Sequence, residues 1–533
     1  MNRTVREIVH QLLQDRGITH VFGNPGSTEM RFFRDFPADL RYVVGLQEAS
    51  VIAMADGHAR ATGGVGLAMV HSASGLGHGL GSLFTAARNG TPLVVLAGQQ
   101  TRSLLPHAPY LQAQDAAAFP RPHVKDAIEP ARAADVPELL AQAIDLAAAP
   151  PAGPVFVSVP EDDWDEPGGE VAPRRAARGL LLPADSALAE LVDDLTGAHH
   201  PALVLGGAVE AGGGRGAAVA LARSLGAAVY AAPLTDRAAF PEDDPHFAGF
   251  LPPFAEGVRA ALDGHDVVLV AGAPVFTFHV PSDGPVIRPG TRLWHVTDDP
   301  GDASRALAGT SLLAPPASTV GVLARLTAAA GTVPLRAPSG RTRDDAVAPP
   351  AAGTLSPEAA LAAIAAVLPD DARIVEEAPT HRNAMHAHLP IRSGQDFHVA
   401  ASGGLGWGMP AAVGIALADP DRPVVCVIGD GSSLYSVQAL WTAAQHGAGV
   451  LFAVLDNGGY AAMKAFGGRL GVSDAPGLDL PGVDPTALAR GFGVGAATAG
   501  TPDEVRSMAA TAIAGRRPFL LRIPVGPAAG ALY

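Results

Sequence analysis

A chain of 533 residues is too long for a single hydrophobic core, and at roughly 150 residues per domain it predicts three or four domains. A hydrophobic content of 48%, a charged content of 17% and a formal net charge of −15 describe a globular protein with a large core, and exclude the basic footprint of a nucleic-acid binder. The single cysteine, Cys426, lies inside an apolar run, so neither a disulfide framework nor a cysteine-based metal site is available. The opening "MNRTVREIVHQLLQDRG" mixes charges with apolar residues at helical spacing and has no signal-peptide core. The charge-free "VAASGGLGWGMPAAVGIALA" (399–418) is broken by five glycines and a proline, and reads as a loop entering a helix rather than a membrane span. A cytoplasmic protein with no nucleic-acid or membrane partner is expected.

Along the chain, apolar strand-like runs alternate with Ala- and Leu-rich helical runs, the pattern of doubly wound parallel α/β domains. Two stretches rich in Pro, Gly and charge, 161–179 and 336–357, read as linkers and divide the chain into domains 1–180, 181–340 and 341–533. In the first, the strand-like "GLAMV" (66–70) leads into His71 and a glycine loop, and "LFTAARNGTPLVVLA" (83–97) reads as a helix ended by Gly and then a strand. The middle segment contains "GGGRGA" (212–217), which approximates a dinucleotide fingerprint but lacks the acidic residue about 20 positions on. In the third, "LWTAAQHGAGVLFAV" (440–454) aligns without gaps with 83–97, so two related domains flank a different one.

The third segment also carries the chemistry. "VIGDGSS" (427–433) and "VLDNGGY" (454–460) are apolar runs that stop at an acidic or amide residue followed by glycine, as buried strands do where their carboxyl ends meet a ligand. Gly-Asp-Gly allows a sharp turn, puts the Asp430 carboxylate at the sheet edge and opens a helix whose free N–H groups of Gly431 and Ser432 can receive phosphate. Asn457 offers an amide oxygen and Gly459 a backbone carbonyl. Three oxygen donors with one formal charge suit Mg²⁺ better than zinc or a closed calcium cage. Taken alone, Gly-Asp-Gly is equally a turn with Asp430 as a helix cap.

The Gly-Asp-Gly followed some two dozen residues later by Asn resembles the thiamine-diphosphate signature of the decarboxylase and carboligase superfamily. Further stretches, among them "VFGNPGSTE" (21–29), "LQEASVIAMADGHA" (46–59), "HSASGLGHGLG" (71–81), "LAGQQTR" (96–102), "GPVFVSVPEDDWD" (153–165) and "GGLGWGMPAAVG" (403–414), are similar to the benzoylformate decarboxylase subfamily, essentially end to end. The resemblance implies thiamine diphosphate and Mg²⁺, a homotetramer with the cofactor at a dimer interface, and non-oxidative decarboxylation of a 2-oxo acid. In that reaction the cofactor ylide attacks the ketone, CO₂ leaves and the enamine is protonated to release an aldehyde.

The resemblance also assigns residues. Glu48, a carboxylate within the apolar "VVGLQEASVIAMA", would serve the pyrimidine N1′, and burial there favours a shared proton. His71 and His279 match the catalytic histidines, Ser27 would bind the substrate carboxylate, and Leu405, after Gly404, would hold the cofactor bent; Thr380 stands near it. Read alone, Ser27 is equally a helix cap before Glu29, and either histidine a structural one. Tyr110, Leu111, Met463 and Phe466 are expected around the substrate. Pro379 and Arg382 depart from the subfamily's small hydroxyl residues, and Arg382 with Tyr110 raises the expectation of a substrate with a polar distal group unless Arg382 turns to Glu376. A dedicated carboligase resembling acetolactate synthase, with a flavin in the middle domain, is the competing reading, and a non-catalytic relative a third, against which the presence of Glu48 and Asp430 counts.

Overall fold

The computed structural model describes residues 3–172, 183–328, 333–334, 354–472 and 474–526. The first sheet comprises β1 (His20–Gly23), β2 (Arg41–Val44), β3 (Gly66–Val70), β4 (Leu93–Gln99), β5 (Asp126–Ile128) and β6 (Pro154–Pro160). The second comprises β7 (Pro201–Leu205), β8 (Ala228–Ala231), β9 (Phe247–Phe250), β10 (Val267–Ala271), β11 (Arg292–Thr297) and β12 (Thr310–Leu313). The third comprises β13 (Arg373–Glu377), β14 (Asp396–Val399), β15 (Val424–Gly429), β16 (Val450–Asp456), β17 (Gly495–Thr498) and β18 (Phe519–Pro524). Neighbouring strands pair in parallel throughout. Such sheets are covered by helices on both faces and need near-continuous apolar strands, which is why β3, β4 and β10 are buried along their whole length.

The first sheet runs β2-β1-β3-β4-β6-β5 and the third β14-β13-β15-β16-β18-β17, the same order. The middle sheet, β12-β11-β10-β7-β8-β9, differs and has the dinucleotide-fold order. The ungapped pairing of 83–97 with 440–454 sets Leu93 opposite Val450, and these residues open β4 and β16, each fourth in its sheet. Continued in both directions, the same alignment pairs Gly57 with Gly414, Met54 with Ala411, and Thr85 with Thr442. All six meet at the contact between the two related domains. Helices Glu48–Thr62 and Gly408–Ala418 cross so closely that a Cβ on Gly57 would overlap the Ala411 carbonyl, and one on Gly414 the Met54 carbonyl. Thr85 Oγ1 bonds Ser402 Oγ at 2.9 Å, and Thr442 Oγ1 donates to the Val44 carbonyl at 2.9 Å. The crossing is therefore a two-fold relation built within one chain.

Two sequence expectations change. The linker expected at 161–179 begins as a packed 3-10 helix, Glu161–Asp165, with Trp164 buried, Asp163 bound by Arg102, and Asp165 bound by Arg6, Arg31 and Arg34. Acidic residues that read as solvated are held by arginines from distant segments. Residues 173–179, and most of 336–357, lie outside the described residues. In the middle domain, Gly212–Gly214 join helix Gly207–Ala211 to helix Arg215–Leu225, so these glycines connect two helices instead of a strand and a helix. At the true end of β7 a Cβ on Gly207 would overlap the Asp236 carboxylate, and one on Gly206 the Gly272 carbonyl, so the chain's own groups fill that crevice. No described helix is long and apolar enough to cross a membrane.

Candidate active site

In open α/β sheets the crevice beyond the carboxyl ends of the strands, where the strand order reverses, receives ligands. The first sheet reverses between β1 and β3, and the third between β13 and β15. Ser27 and His71 follow β1 and β3, and Thr380 and Asp430 follow β13 and β15, whereas Glu48 follows β2, Asn457 follows β16 and His279 follows β10 of the middle sheet.

At the first, β1 ends at Gly23 and the chain passes through Asn24–Gly26 into a 3-10 helix, Ser27–Phe33. Gly26 caps this helix, and its N–H donates to Glu29 Oε2 at 2.8 Å, so Ser27 is not the cap; it is exposed at the first helical position. His71 follows β3 as the N-cap residue of helix Ser72–Arg88. Its Nδ1 lies 3.0 Å from Glu29 Oε2 and 3.0 Å from Thr28 Oγ1. Gly26 is needed here, since a Cβ would overlap the His71 ring. The hydrogen bond that His71 donates to the buried Glu29 raises the His71 pKa above the ordinary imidazole value, outweighing desolvation. An Nδ1–H given to Glu29 leaves Nε2 as the reacting nitrogen. Ser72 Oγ donates to the Leu111 carbonyl, which brings that segment beside His71, whereas the neighbouring Tyr110 is 91% exposed.

Glu48 is the first residue of helix Glu48–Thr62 and only 7% exposed. Asn24 Nδ2 donates to its Oε1 at 3.3 Å, and His78 Nδ1 lies 3.2 Å from its Oε2. The sequence singled out Glu48 and His71; Glu29, Asn24 and His78 escaped it, because their pairings join segments far apart in the chain that only the strand order brings together.

At the second point, Asp430 directly follows β15 and opens the short helix Asp430–Leu434. It is 6% exposed, and burial with the nearby Asp456 pushes its carboxyl pKa up, against the backbone N–H groups of Gly431 and Asn457. Asn457, just beyond β16, accepts the Gly459 N–H on Oδ1 at 3.2 Å, and its Nδ2 lies 3.2 Å from His381 Nε2. Burial lowers the His381 pKa to about 4, so the ring is neutral near pH 7 and Nε2 can accept from the amide, which fixes Asn457. A Cβ on Gly459 would overlap the Leu478 carbonyl. Thr380 Oγ1 accepts the Ala462 N–H at 3.1 Å at the start of helix Ala461–Arg469. Ser432 is buried within the Asp430 turn, and the Tyr460 ring packs where Gly431 has no Cβ.

The loop bearing Gly404 and Leu405 is clamped by Glu377 at the end of β13, whose carboxylate accepts the Gly406 N–H at 2.7 Å and the Gly408 N–H. Burial raises the Glu377 pKa to about 7. Gly406 adopts φ 97° and lies against Tyr435 Cβ, a turn that only glycine makes without strain. The His279 ring lies tilted beside that of Phe466, centroids 5.6 Å apart, while the His279 backbone N–H donates to the Pro253 carbonyl at 2.9 Å. Met463, one turn before Phe466 on helix Ala461–Arg469, is 44% exposed. Arg382 grips the fully buried Glu376, with Nε 2.9 Å and Nη2 2.6 Å from Oε2. Its other side borders a cavity of about 400 Å³ shared with Phe250, Phe397 and His386.

Family models describe residues 3–119, 188–323 and 378–523 as the N-terminal, central and C-terminal domains of thiamine pyrophosphate enzymes. The chain is 42% identical over 530 residues to benzoylformate decarboxylase of Pseudomonas aeruginosa, covering 98% of this chain and 99% of the relative. The chain belongs to the thiamine-diphosphate enzyme family. Among solved structures, a thiamine-diphosphate-dependent 4-hydroxybenzoylformate decarboxylase of Rhodococcus jostii superposes with a TM-score of 0.93 at 40% identity, covering 98% of this chain and 99% of that one. Benzoylformate decarboxylase of Polynucleobacter necessarius superposes with a TM-score of 0.93 at 36% identity, covering 99% and 100%. The acetolactate synthase large subunit of Haemophilus influenzae is 25% identical over 85% of this chain and 82% of its own length.

Thiamine-diphosphate enzymes hold their cofactor with a divalent metal such as Mg²⁺. The residues at the second switch point fit that group. A buried carboxylate with an elevated pKa gains most from a neighbouring cation, and an amide oxygen such as that of Asn457 is a hard donor of the kind Mg²⁺ takes. Among the described residues no three His, Cys, Asp or Glu side chains converge on one point.

Proposed function

We propose that this thiamine-diphosphate-dependent 2-oxo acid decarboxylase acts on benzoylformate or a close aromatic relative, releasing CO₂ and the aldehyde. The observation that carries the reading is the pairing of a nearly buried Glu48 with a Glu29-supported His71 at one switch point of a chain 42% identical to benzoylformate decarboxylase.

When bound, the cofactor supplies the carbon nucleophile and the electron sink. The chain orients it and moves protons. Asp430, Asn457 and the Gly459 carbonyl would hold the metal, with Gly431, Ser432 and Thr380 at the diphosphate, and Gly404 and Leu405 beneath the cofactor. Glu48 would hold the pyrimidine proton. Ser27 would hydrogen-bond the substrate carboxylate, and His71 and His279 would exchange protons with the reacting oxygen and carbon, steps worth roughly 10²–10⁴-fold each.

Phe466, beside His279, would wall the aromatic ring, with Leu111, Tyr110 and Met463 nearby. Arg382 already has its anion in Glu376, so an acidic distal group on the substrate is not required to neutralise it. A ring hydroxyl remains compatible, as in the 4-hydroxybenzoylformate decarboxylase that the chain resembles. A homotetramer in the cytoplasm completes the reading. Carboligation of aldehydes by an acetolactate-synthase-like enzyme is the second reading, favoured only by more distant relatives. CO₂ release from a panel of 2-oxo acids, with thiamine diphosphate and Mg²⁺ present, tests the proposal; a yellow, flavin-bearing protein that consumes only pyruvate would overturn it.

A further inference from the structure

Glu376 and Glu377 are successive residues of β13 and so leave the strand on opposite faces, Glu376 toward Arg382 and Glu377 toward the loop that carries Gly404 and Leu405. Glu377 is 4% exposed, and each of its carboxylate oxygens takes a backbone N–H, Oε1 that of Gly406 at 2.7 Å and Oε2 that of Gly408. The Trp407 N–H bonds it as well. Helix Gly408–Ala418 has no side-chain cap at Trp407, so a carboxylate from a distant strand satisfies its first free N–H groups and meets the positive end of its dipole. The Gly406 N–H lies in the same peptide plane as the Leu405 carbonyl, so gripping that N–H fixes the backbone of Leu405 too.

We propose that Glu377 is a positioning residue, which sets through the Leu405–Gly406 peptide where the Leu405 side chain stands against the cofactor. This rests on the reading of Leu405 as the residue that holds the cofactor bent. An ionised carboxylate presents both oxygens as acceptors to the turn, whereas a protonated one turns an O–H toward groups that are themselves donors. Burial, reinforced by Glu376, raises the Glu377 pKa to about 7 against the pull of the three N–H groups, so the grip is complete above that pH and slackens below it. Among the described residues, the titratable groups that act on it are Glu376, which Arg382 pairs, and the Cys426 thiol of β15, which burial keeps neutral.

The test uses the full chain with thiamine diphosphate and Mg²⁺, above the Glu377 pKa, and reads hydrogen–deuterium exchange at the cofactor C2 alongside cofactor affinity. Glu377→Gln is expected to slow exchange about 10²-fold, the scale of a misplacement of about 1 Å, with affinity near wild type. Leu405→Ala is expected to be as slow, and the double variant no slower than Leu405→Ala alone. In the cofactor-free chain, backbone exchange over 403–408, corrected for its intrinsic pH dependence, is expected to lose protection in wild type as pH falls through about 7. In Glu377→Gln the same segment should be unprotected at every pH. Glu377→Asp keeps the charge and should show the pH step again; if Glu377→Gln does not fold, it carries the same comparisons with a smaller loss. Wild-type exchange at C2 in Glu377→Gln, losses that multiply in the double variant, or protection of 403–408 that ignores pH would overturn the positioning role and leave Glu377 as a helix cap. Wild-type exchange in Leu405→Ala with Glu377→Gln still slow sinks the reading of Leu405 itself, and the positioning role with it.

Discussion

His71 and Glu29 share a 3.0 Å contact between Nδ1 and Oε2, and through it a carboxylate that is nearly fully buried sets the proton affinity of a ring at the mouth of the site. Because Glu29 raises the His71 pKa, Glu29→Gln lowers it, and whichever limb of the kcat/KM profile His71 governs moves to lower pH. The stabilising effect of the pair runs with the same sign. It is complete below the unfolded imidazole value of 6.5 and is lost as pH rises through the elevated folded one. A pH–rate profile and pH-dependent melting of both proteins check this; limbs that coincide would remove Glu29 from the role.

Glu48→Gln retains the fold, because an amide still accepts from Asn24, but cannot exchange the pyrimidine proton. Turnover is expected to fall by roughly 10²-fold or more with little change in cofactor affinity. Steady-state kinetics with titration of the cofactor read both quantities.

Asp430→Ala removes the one anionic donor of the proposed metal set. Wild-type melting temperature should rise with thiamine diphosphate and Mg²⁺ by mass action, and the variant should show no such rise. Equal stabilisation of the two proteins would move the metal elsewhere.

Arg382→Leu leaves the buried Glu376 with the Ala378 N–H as its one hydrogen-bond donor among the described residues, and is expected to cost about 3 kcal/mol, seen as a lowered melting temperature. The order of preference among benzoylformate and its 4-hydroxy and 4-carboxy analogues should stay as in wild type. A reversal in favour of benzoylformate would instead put the guanidinium against the substrate.

Gly57→Ala or Gly414→Ala pushes a methyl group into the backbone of the facing helix. Either change is expected to destabilise by about 1–3 kcal/mol, and by similar amounts, as the two positions are equivalent. Denaturant melts of the two variants make the comparison.

Features set by strand ends were legible in the sequence. Asp430, Asn457 and His71 each follow an apolar run whose length and abrupt stop mark a carboxyl terminus, and Glu48 stood out as a carboxylate in apolar company. The ungapped echo between 83–97 and 440–454 became two sheets of one topology. Partnerships across the strand order were not legible. Nothing in the spacing of Glu29 and His71, or of Asn457 and His381, says that two loops converge. The turn of Arg382 to Glu376 was one of two alternatives the sequence left open, because the two stand on different elements and their pairing depends on the turn after β13. Tyr110 was expected to need a partner for a buried hydroxyl, and on the chain it is open to solvent.

The crossing at Gly57 and Gly414 also bears on how the chain assembles. Each of the two related domains uses the same surface to grip the other, so the molecule is a dimer whose halves are tethered by covalent chain. The encounter of the halves is then first order, governed by an effective concentration that the length of the tether sets and dilution does not alter. A chain cleaved between the second and third domains would lose that protection, and its integrity would become a matter of concentration.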